Sequence, residues 1–316
     1  MSENKEHRLS LVSVITPSLN QGKFIEGTIR SVLEQSYPNL EYIVVDGGST
    51  DETLDILRRY EGKLRWISEK DRGQTDAVNK GFRMARGEIL GWMNADDQYV
   101  PGAITQAAGC FSADPDVMLA YGAAKDVDGD GNFMQQYPTE PFDLSRFPYR
   151  CIICQPAAFM RKRLIERVGF LNADLECSMD LDLWIRCGLA QKENPSWKFV
   201  YVPEFWAINR FHAESKSLVL RQKHMRVTSE MVQHYFGFIP YNWFYGQEEV
   251  SSGRYDGIFQ KAPLQLSLFT KSFVRWLWWN RRNPGHIVKT LAATLSSPVQ
   301  SWRSIRQRTS SGRPPA

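Results

Sequence analysis

Glu88-Ile89-Leu90-Gly91-Trp92-Met93-Asn94-Ala95-Asp96-Asp97 is an apolar run of strand length that breaks off into an amide and two adjacent carboxylates. A short apolar run with polar bounds reads as a strand buried on both faces, the habit of sheets covered by helices. An Asp pair at the carboxyl end of such a strand does nothing for a core. It suits a hard divalent cation, because Mg2+ and Mn2+ take oxygen ligands, commonly one or two carboxylates plus substrate phosphates. The same pair would also serve a solvated turn, so the neighbouring segments decide.

Outward from this run the same pattern repeats. Leu11–Thr16, Glu41–Asp46, Leu64–Ile67 and Val117–Tyr121 read as further strands. Between them Phe24, Ile25, Ile29, Val32 and Leu33, then Leu54, Ile56, Leu57 and Tyr60, recur at helical spacing, and a helix is expected from about Gln74 to Met84. This alternation predicts βαβ units and an α/β fold with a mostly parallel sheet covered on both faces. Ligands in such sheets bind at the carboxyl ends of the strands. Thr16, Asn20, Asp46, Glu69, Asp71, Asn94, Asp96 and Asp97 all fall there, so one edge collects them.

In Asp46-Gly47-Gly48-Ser49-Thr50-Asp51-Glu52 the glycines let backbone approach a ligand, and Ser49 with Glu52 predicts a capping box for the next helix. Asp46 is the functional candidate. No Gly-x-Gly-x-x-Gly follows the first strand, which excludes the dinucleotide fingerprint. From about residue 130 to 215 the regular alternation is lost. Within Met179-Asp180-Leu181-Asp182-Leu183-Trp184-Ile185-Arg186, Leu181, Trp184 and Ile185 share a helical face. Asp180 stands at the helix start, favoured by the helix dipole and available to a cleft, while Asp182 is placed to pair with Arg186 at i, i+4.

The chain has 316 residues, 42% hydrophobic and 23% charged, an ordinary globular composition able to bury one large core or a domain with an appendage. The first ten residues are polar, without the apolar stretch of a signal peptide, and no uninterrupted apolar run reaches the roughly 18 to 20 residues of a spanning helix. A cytoplasmic location is the expectation. Five cysteines, an odd number, point to reduced thiols; Cys151 and Cys154 have C-x-x-C spacing but no second pair at zinc-site spacing, and read as semi-buried strand thiols. Charge is divided unevenly. Gly257 to Ala316 contains no Asp or Glu and ten Lys or Arg, whereas residues 1–256 carry 29 basic against 35 acidic side chains. An acidic body with a basic tail suggests two jobs divided along the chain.

These residues together resemble the family 2 glycosyltransferases of the GT-A fold. The resemblance runs from about Leu11 to Ser217 and rests on seven ordered motifs: Val14-Ile15-Thr16-Pro17-Ser18-Leu19-Asn20, Val44-Val45-Asp46-Gly47-Gly48-Ser49-Thr50-Asp51, Asp71-Arg72-Gly73-Gln74-Thr75-Asp76-Ala77-Val78-Asn79-Lys80-Gly81, Gly87-Glu88-Ile89, Asn94-Ala95-Asp96-Asp97, Met179-Asp180-Leu181-Asp182-Leu183-Trp184 and Arg210-Phe211-His212. Any one is common; the ordered set is specific. It implies a Rossmann-like mixed sheet flanked by helices and an inverting, nucleotide-sugar-dependent hexosyl transfer.

The resemblance also assigns roles. Thr16, Pro17 and Asp46 would line the nucleobase pocket, Asp46 accepting a hydrogen bond from the base, with Asp71 and Arg72 bordering it. Asn20 and Asn94 would belong to the nucleotide-sugar site. Asp96 would face the ribose or sugar and, with Asp97, form the acidic metal motif, Asp97 ligating Mg2+ or Mn2+ that bridges the diphosphate. His212 would add a metal or diphosphate contact, and Asp180 would be the general base. Two departures stand out: Asn94 replaces the first carboxylate of a strict Asp-x-Asp, and Met179 stands where an acidic residue usually precedes the base.

The expected organisation is a polar segment over 1–10, a catalytic domain over 11–217 (nucleotide-sugar half 11–125, acceptor and base half 126–217), a helical, basic, amphipathic region over 218–302 and a disordered tail over 303–316. In that region Leu266, Phe269, Phe273, Trp276 and Leu277, then Ile287, Val288, Leu291, Leu295 and Trp302, form an apolar stripe beside basic residues. Two readings stay open: residues 261–308 bind an anionic membrane surface, making the protein peripheral on the inner face, or the stripe packs on the body. Nucleic acid is not an expected partner, since a regular apolar stripe suits burial rather than base stacking. The expected acceptor is a glycan or lipid-linked hydroxyl in surface polysaccharide assembly. The alternatives are a non-catalytic nucleotide-sugar or glycan-binding module, and a sugar nucleotidyltransferase, for which Ser18–Lys23 makes a poor phosphate loop.

Overall fold

The computed structural model describes residues 9–251 and 266–296. The expectations for the start of the polar N-terminal segment, for Trp302 and for the disordered tail lie outside the described residues.

The chain opens with β1 (Val12–Ser18), α1 (Gly22–Leu33), β2 (Leu40–Asp46), α2 (Thr53–Arg59), β3 (Arg65–Ser68), α3 (Gln74–Met84) and β4 (Ile89–Trp92). There follow β5 (Gln98–Tyr99), α4 (Ala103–Ala113), β6 (Val117–Val127), β7 (Phe133–Gln136), β8 (Ala158–Arg161), α5 (Lys162–Val168), α6 (Met179–Glu193) and β9 (Lys198–Arg210). The sheet order is β3-β2-β1-β4-β8-β6-β9-β5, with β7 paired to β6. Every residue of β1 is buried, as the unbroken apolar run required. Val12, Val14, Val44 and Ile89 pack into one layer with Ile25, Ile29 and Val32 of α1, Leu57 of α2 and Ile104 and Phe111 of α4. On the opposite face α3 approaches so closely that a Cβ on Gly81 would stand 2.3 Å from Ile15 Cγ2.

The expectation of a mostly parallel sheet holds for β3-β2-β1-β4 and for the β6–β9 pair. β8 is antiparallel to both β4 and β6, so the sheet is mixed. The reason lies in residues 137–157, whose only helical turns are the 3-10 turns Leu144–Arg146 and Gln155–Ala157. A parallel strand is usually reached through a crossover helix, and this connection contains none. One reversal through β8 leaves β4, β6 and β9 running the same way, and β6 and β9 pair in parallel. The carboxyl ends of β1, β2, β3, β4, β6 and β9 therefore share one edge. Strand order switches direction at β1, flanked by β2 and β4, and the crevice at such a switch is the ligand position of open α/β sheets.

Cys151 and Cys154 lie in the loop before the Gln155–Ala157 turn and not on a strand, Pro156 lacking the N–H a ladder needs. Compact units divide after Val227, later than the boundary after Ser217 expected from sequence. The second unit holds the end of α8 (Arg221–Phe236), α9 (Tyr241–Ser251), α10 (Leu266–Asn280) and α11 (Pro284–Ser296); α7 (Lys216–Val219) precedes it. Its own small core is Ile239, Phe244 and Trp276, with Phe273, Leu277 and Ile287 packed against them. The apolar stripe of α10 is thus the inner face of this unit. Val288 does not follow it, being 65% exposed.

Candidate active site

β4 ends in a tight turn in which Asp97 N–H donates to the Asn94 carbonyl (3.2 Å). Asn94 is saturated. Its Oδ1 accepts from Gln74 Nε2 (2.8 Å) and the Trp92 indole (3.0 Å), and its Nδ2 donates to Asp97 Oδ2 and to Gln155 Oε1, both at 2.9 Å. A carboxylate could not make the last two bonds, which gives a physical reason for Asn where a strict Asp-x-Asp has Asp. Gln155 also donates to the Trp92 carbonyl, holding the end of β8 to the end of β4.

Asp97 turns inward, 2% exposed, its second oxygen accepting from Arg210 N–H at 2.9 Å. Burial, and then the neighbouring Asp96 charge, push its pKa well above the ordinary carboxylate value despite the Arg210 and Asn94 donors. Asp96 turns the other way, with Oδ2 3.0 Å from His212 Nε2. His212 sits just past the end of β9, its ring 4.5 Å from that of Phe24. Arg210 spans the same corner, donating to the carbonyls of Asp96, Asp128 and Gly129. The metal motif read at the end of β4 and the His read at the end of β9 are thus brought together.

The donor set fits a hard divalent ion: two adjacent carboxylates, one behind the other, and an imidazole on the outer one. No group of three or more His, Cys, Asp or Glu among the described residues encloses a cation. An ion here would complete its shell with phosphate and water.

At the β2 end the structure revises the local expectations. Asp46 is fully buried, and its oxygens accept from Gly48 N–H, Ser49 N–H, Ser49 Oγ and Ser68 Oγ. The capping box between Ser49 and Glu52 does not form: the Ser49 hydroxyl goes to Asp46, and the Thr53 N–H is taken by Asp51 (3.0 Å). Thr16 is buried with its hydroxyl 3.1 Å from that of Tyr42, and Pro17 is buried in β1. Asn20 is exposed with φ 51° and ties the β1–α1 loop to the turn, its Oδ1 accepting from Thr50 N–H at 2.8 Å. Asp71 leans over the same turn. A Cβ on Gly47 would come within 2.7 Å of Asp71 Oδ2, so only glycine permits this approach. Asp71 Oδ1 accepts from Gly73 N–H (2.8 Å). Arg72 points to solvent, its side chain 80% exposed, and pairs with Asp76 at 3.2 Å.

Asp180 is the second residue of α6, following the left-handed Ser178 (φ 60°). It remains partly exposed. Burial raises its pKa, opposed by His224 of α8, whose own pKa burial lowers. Asp182 instead turns to Arg186 (2.8 Å), as the i, i+4 spacing required. Two clamps from α3 hold the segment leading into α6: Asn79 exchanges hydrogen bonds with Leu171 N–H and carbonyl (2.9 and 2.8 Å), and Thr75 Oγ1 donates to the Leu175 carbonyl (3.0 Å). The thiol of buried Cys154 is pushed up by burial and then by the charges of Asp126, Asp97, Cys151 and Asp180. Gln74, Gln155 and Asn79 carried no signal of their own in the sequence, since an uncharged amide in a motif looks the same whether it braces or binds.

A model of glycosyl transferase family 2 matches residues 13–169. A PGL/p-HBAD biosynthesis glycosyltransferase of Mycobacterium bovis is 32% identical over 182 residues, covering 56% of this chain and 69% of the relative. Escherichia coli chondroitin synthase is 25% identical over 230 residues, 71% of this chain but 33% of its own length. The chain likewise spans 58% of an uncharacterized glycosyltransferase of Rickettsia prowazekii. Among solved structures, S. aureus TarS 1-349 in complex with UDP-GlcNAc superposes with TM-score 0.56 at 16% identity, over 85% of this chain and 81% of that one. The mannosyltransferase PcManGT of Pyrobaculum calidifontis, in complex with GDP-Man and Mn2+, gives TM-score 0.53 at 20% identity, over 94% and 84%. At these identities the structures share the fold, the expected GT-A arrangement of a mixed sheet flanked by helices. With a relative matched over more than two thirds of its length, the chain belongs to glycosyl transferase family 2.

Proposed function

We propose that the chain transfers a hexose, with inversion, from a nucleotide-diphosphate sugar to a hydroxyl of a glycan or lipid-linked acceptor in the cytoplasm, as a step in surface polysaccharide assembly. The observation that carries the reading is the Asp96–His212 contact with Asp97 behind it, at the edge where six strands end. The solved neighbours were captured with UDP-GlcNAc and with GDP-Man and Mn2+, and the relatives named above include a chondroitin synthase, which supports the donor class and the polysaccharide setting.

Asp96 and His212 would hold Mg2+ or Mn2+, with Asp97 contributing its charge from beneath. Bound there, the ion supplies Lewis-acid neutralisation of the diphosphate. The hydrogen-bonded brace of Asn94, Gln155 and Arg210 keeps the two carboxylates in place without reorganisation. Asp46, with its oxygens engaged inside the turn, shapes the nucleobase edge, and Asp71 offers its Oδ2 to an N–H of the base. Asn20, Thr16 and Pro17 complete that edge, with Arg72 at its rim. Asp180 takes the proton of the acceptor hydroxyl as its oxygen bonds to the anomeric carbon and the bond to the diphosphate breaks. Its raised pKa makes it a better proton acceptor than an ordinary Asp. One base and one displacement give inversion.

The test is a screen of nucleotide sugars with Mg2+ or Mn2+, following nucleoside diphosphate release, with Asp96→Ala and Asp180→Asn alongside. Release from one donor, lost on chelation and in both variants, is the expected result. Donor binding without turnover, even with lipid extract and glycan acceptors added, would leave a binding module instead.

A further inference from the structure

The inner face of α10 packs on the second unit's own core; its outer face, among the described residues, does not. Val274 and Trp278, one turn apart, are 60% and 58% exposed, Trp279 is 40% exposed, and Val288 of α11 is exposed as well. The charges carried by α10 and α11 have one sign. Residues 266–296 contain Lys271, Arg275, Arg281, Arg282 and Lys289 and no Asp or Glu. The nearby acid, Glu248 of α9, is drawn under the helix with its side chain 3% exposed, where it pairs with Lys271 (2.7 Å) and Arg275. What faces outward is two tryptophans and two valines among Arg281, Arg282 and Lys289, all exposed. The Arg281 guanidinium stands 4.0 Å from the centre of the Trp278 ring and donates to the Trp278 carbonyl at 2.7 Å. That stack sets Trp278 outward, whereas Trp276, two residues earlier, is fully buried with its indole donating to the Ile239 carbonyl.

Exposed tryptophan beside guanidinium groups suits the headgroup layer of a bilayer, where the ring is half solvated and the cation meets phosphate. We propose that the outer face of α10 and α11 docks on an anionic phospholipid membrane, Trp278 and Val274 entering the headgroup layer and Arg281, Arg282 and Lys289 meeting lipid phosphates. Charge selects this occupant over a second copy of the chain, because two such faces would set basic against basic. The surface lies on the membrane and does not cross it: no described helix is long and apolar enough to span. This docking stands independently of the transfer reaction.

The experiment is co-sedimentation of the full chain with phosphatidylcholine vesicles and with mixed phosphatidylcholine–phosphatidylglycerol vesicles, at two ionic strengths. Binding to the mixed vesicles alone, weakening as salt shortens the screening length, is expected. Arg281→Glu with Arg282→Glu should lower partition by on the order of 10-fold or more. Trp278→Ser should remove the fraction that persists at high salt and the blue shift of tryptophan emission. Far-ultraviolet circular dichroism and nucleoside diphosphate binding report whether the variants fold. Equal partition of wild type and the double variant overturns the proposal, as does failure of the folded wild type to bind mixed vesicles. A wild-type dimer that Trp278→Ser turns into a monomer, without vesicle binding, would assign the face to self-association, and binding to RNA in place of mixed vesicles would assign it to a polyanion.

Discussion

Replacing Asn94 by Asp restores a strict Asp-x-Asp and should damage the protein. The Asn94 amide nitrogen donates to Asp97 Oδ2 and Gln155 Oε1, each at 2.9 Å. A carboxylate oxygen in its place faces two acceptors. Two full charges at that separation repel by about 6 kcal/mol at an effective dielectric of 20. Holding a proton at pH 7 on a carboxyl of ordinary pKa near 3.9 costs less, about 4 kcal/mol, so the folded variant keeps one. That proton restores a bond to Asp97 and leaves Gln155 Oε1 without its donor, a further loss of about 1 kcal/mol. Gln155 cannot compensate by flipping, because its amide nitrogen already donates to the Trp92 carbonyl.

The expected destabilisation is therefore about 5 kcal/mol at pH 7, and its pH dependence is the sharper signature. The folded variant binds one proton more than the unfolded chain, so its stability falls relative to wild type as pH rises, by about 1.4 kcal/mol per unit above the ordinary carboxyl pKa. At pH 5 the cost should be about 2.5 kcal/mol by the same arithmetic. Urea unfolding followed by tryptophan fluorescence, in a chelator at both pH values, measures this directly. Asn94→Asp within about 1 kcal/mol of wild type at pH 7, or a cost independent of pH, would show that Asn94 is not the fixed donor between Asp97 and Gln155.

Glu41 gives a second pH signature, of opposite sign. Burial opposes its charge, but hydrogen bonds from Arg86 N–H, Ser13 and the Arg86 and Arg65 guanidinium groups outweigh it and hold its pKa at about 2 against 4.5. The loss in Glu41→Gln, about 2 kcal/mol at pH 7 after allowing for the half-exposed arginines, should shrink as pH falls below 4.5 and vanish near 2; a pH-independent loss contradicts it. Asp71→Ala should weaken nucleoside diphosphate binding in calorimetry by about 10- to 100-fold with little change in melting temperature, whereas Asp46→Asn should lower the melting temperature first. Unchanged binding in Asp71→Ala would remove it from the base edge. Asp180→Asn should cut kcat by roughly 10²- to 10⁴-fold. The acid limb of the wild-type rate profile should lie above the ordinary carboxylate range, because burial raises Asp180; a limb that persists in the variant would belong to another group.

Much of the fold could be read before any coordinates, and the reason is periodicity. β1, β2 and β4 are apolar runs closed by polar residues, and α1 buries Ile25, Ile29 and Val32 at the spacing that singled them out. The Asp182–Arg186 pair was legible because i, i+4 geometry is local. β8 was not, since its place between β4 and β6 is set by residues far away in sequence and its direction by a connection without a crossover helix. The outward face of α10 was hidden for a related reason: apolar spacing shows that a helix has an inner stripe, but Trp276 and Trp278 differ only in which side the rest of the unit covers.

The polar residues of the site divide by hydrogen-bond valence, which composition does not reveal. Asp46 and Asp71 are both carboxylates at or beyond strand ends, yet the first has its oxygens engaged by four donors of its own turn and neighbouring strand, while the second leans over Gly47 with Oδ1 held by Gly73 N–H. The same division runs through Asn94-Ala95-Asp96-Asp97. Asn94 and Asp97 bond to each other and turn inward; Asp96 turns out to His212 across the sheet. In this turn Asp97 is held inward by Asn94 and Arg210, so of the two adjacent carboxylates Asp96 is the one presented to a ligand. The inward carboxylate then acts on the site through the brace it forms with Asn94 and Arg210. On this argument Asp97→Asn and Asp96→Asn should fail differently: the first by loosening the Arg210–Asn94 brace and lowering thermal stability, the second by losing Mn2+ affinity in a protein that melts as the wild type does.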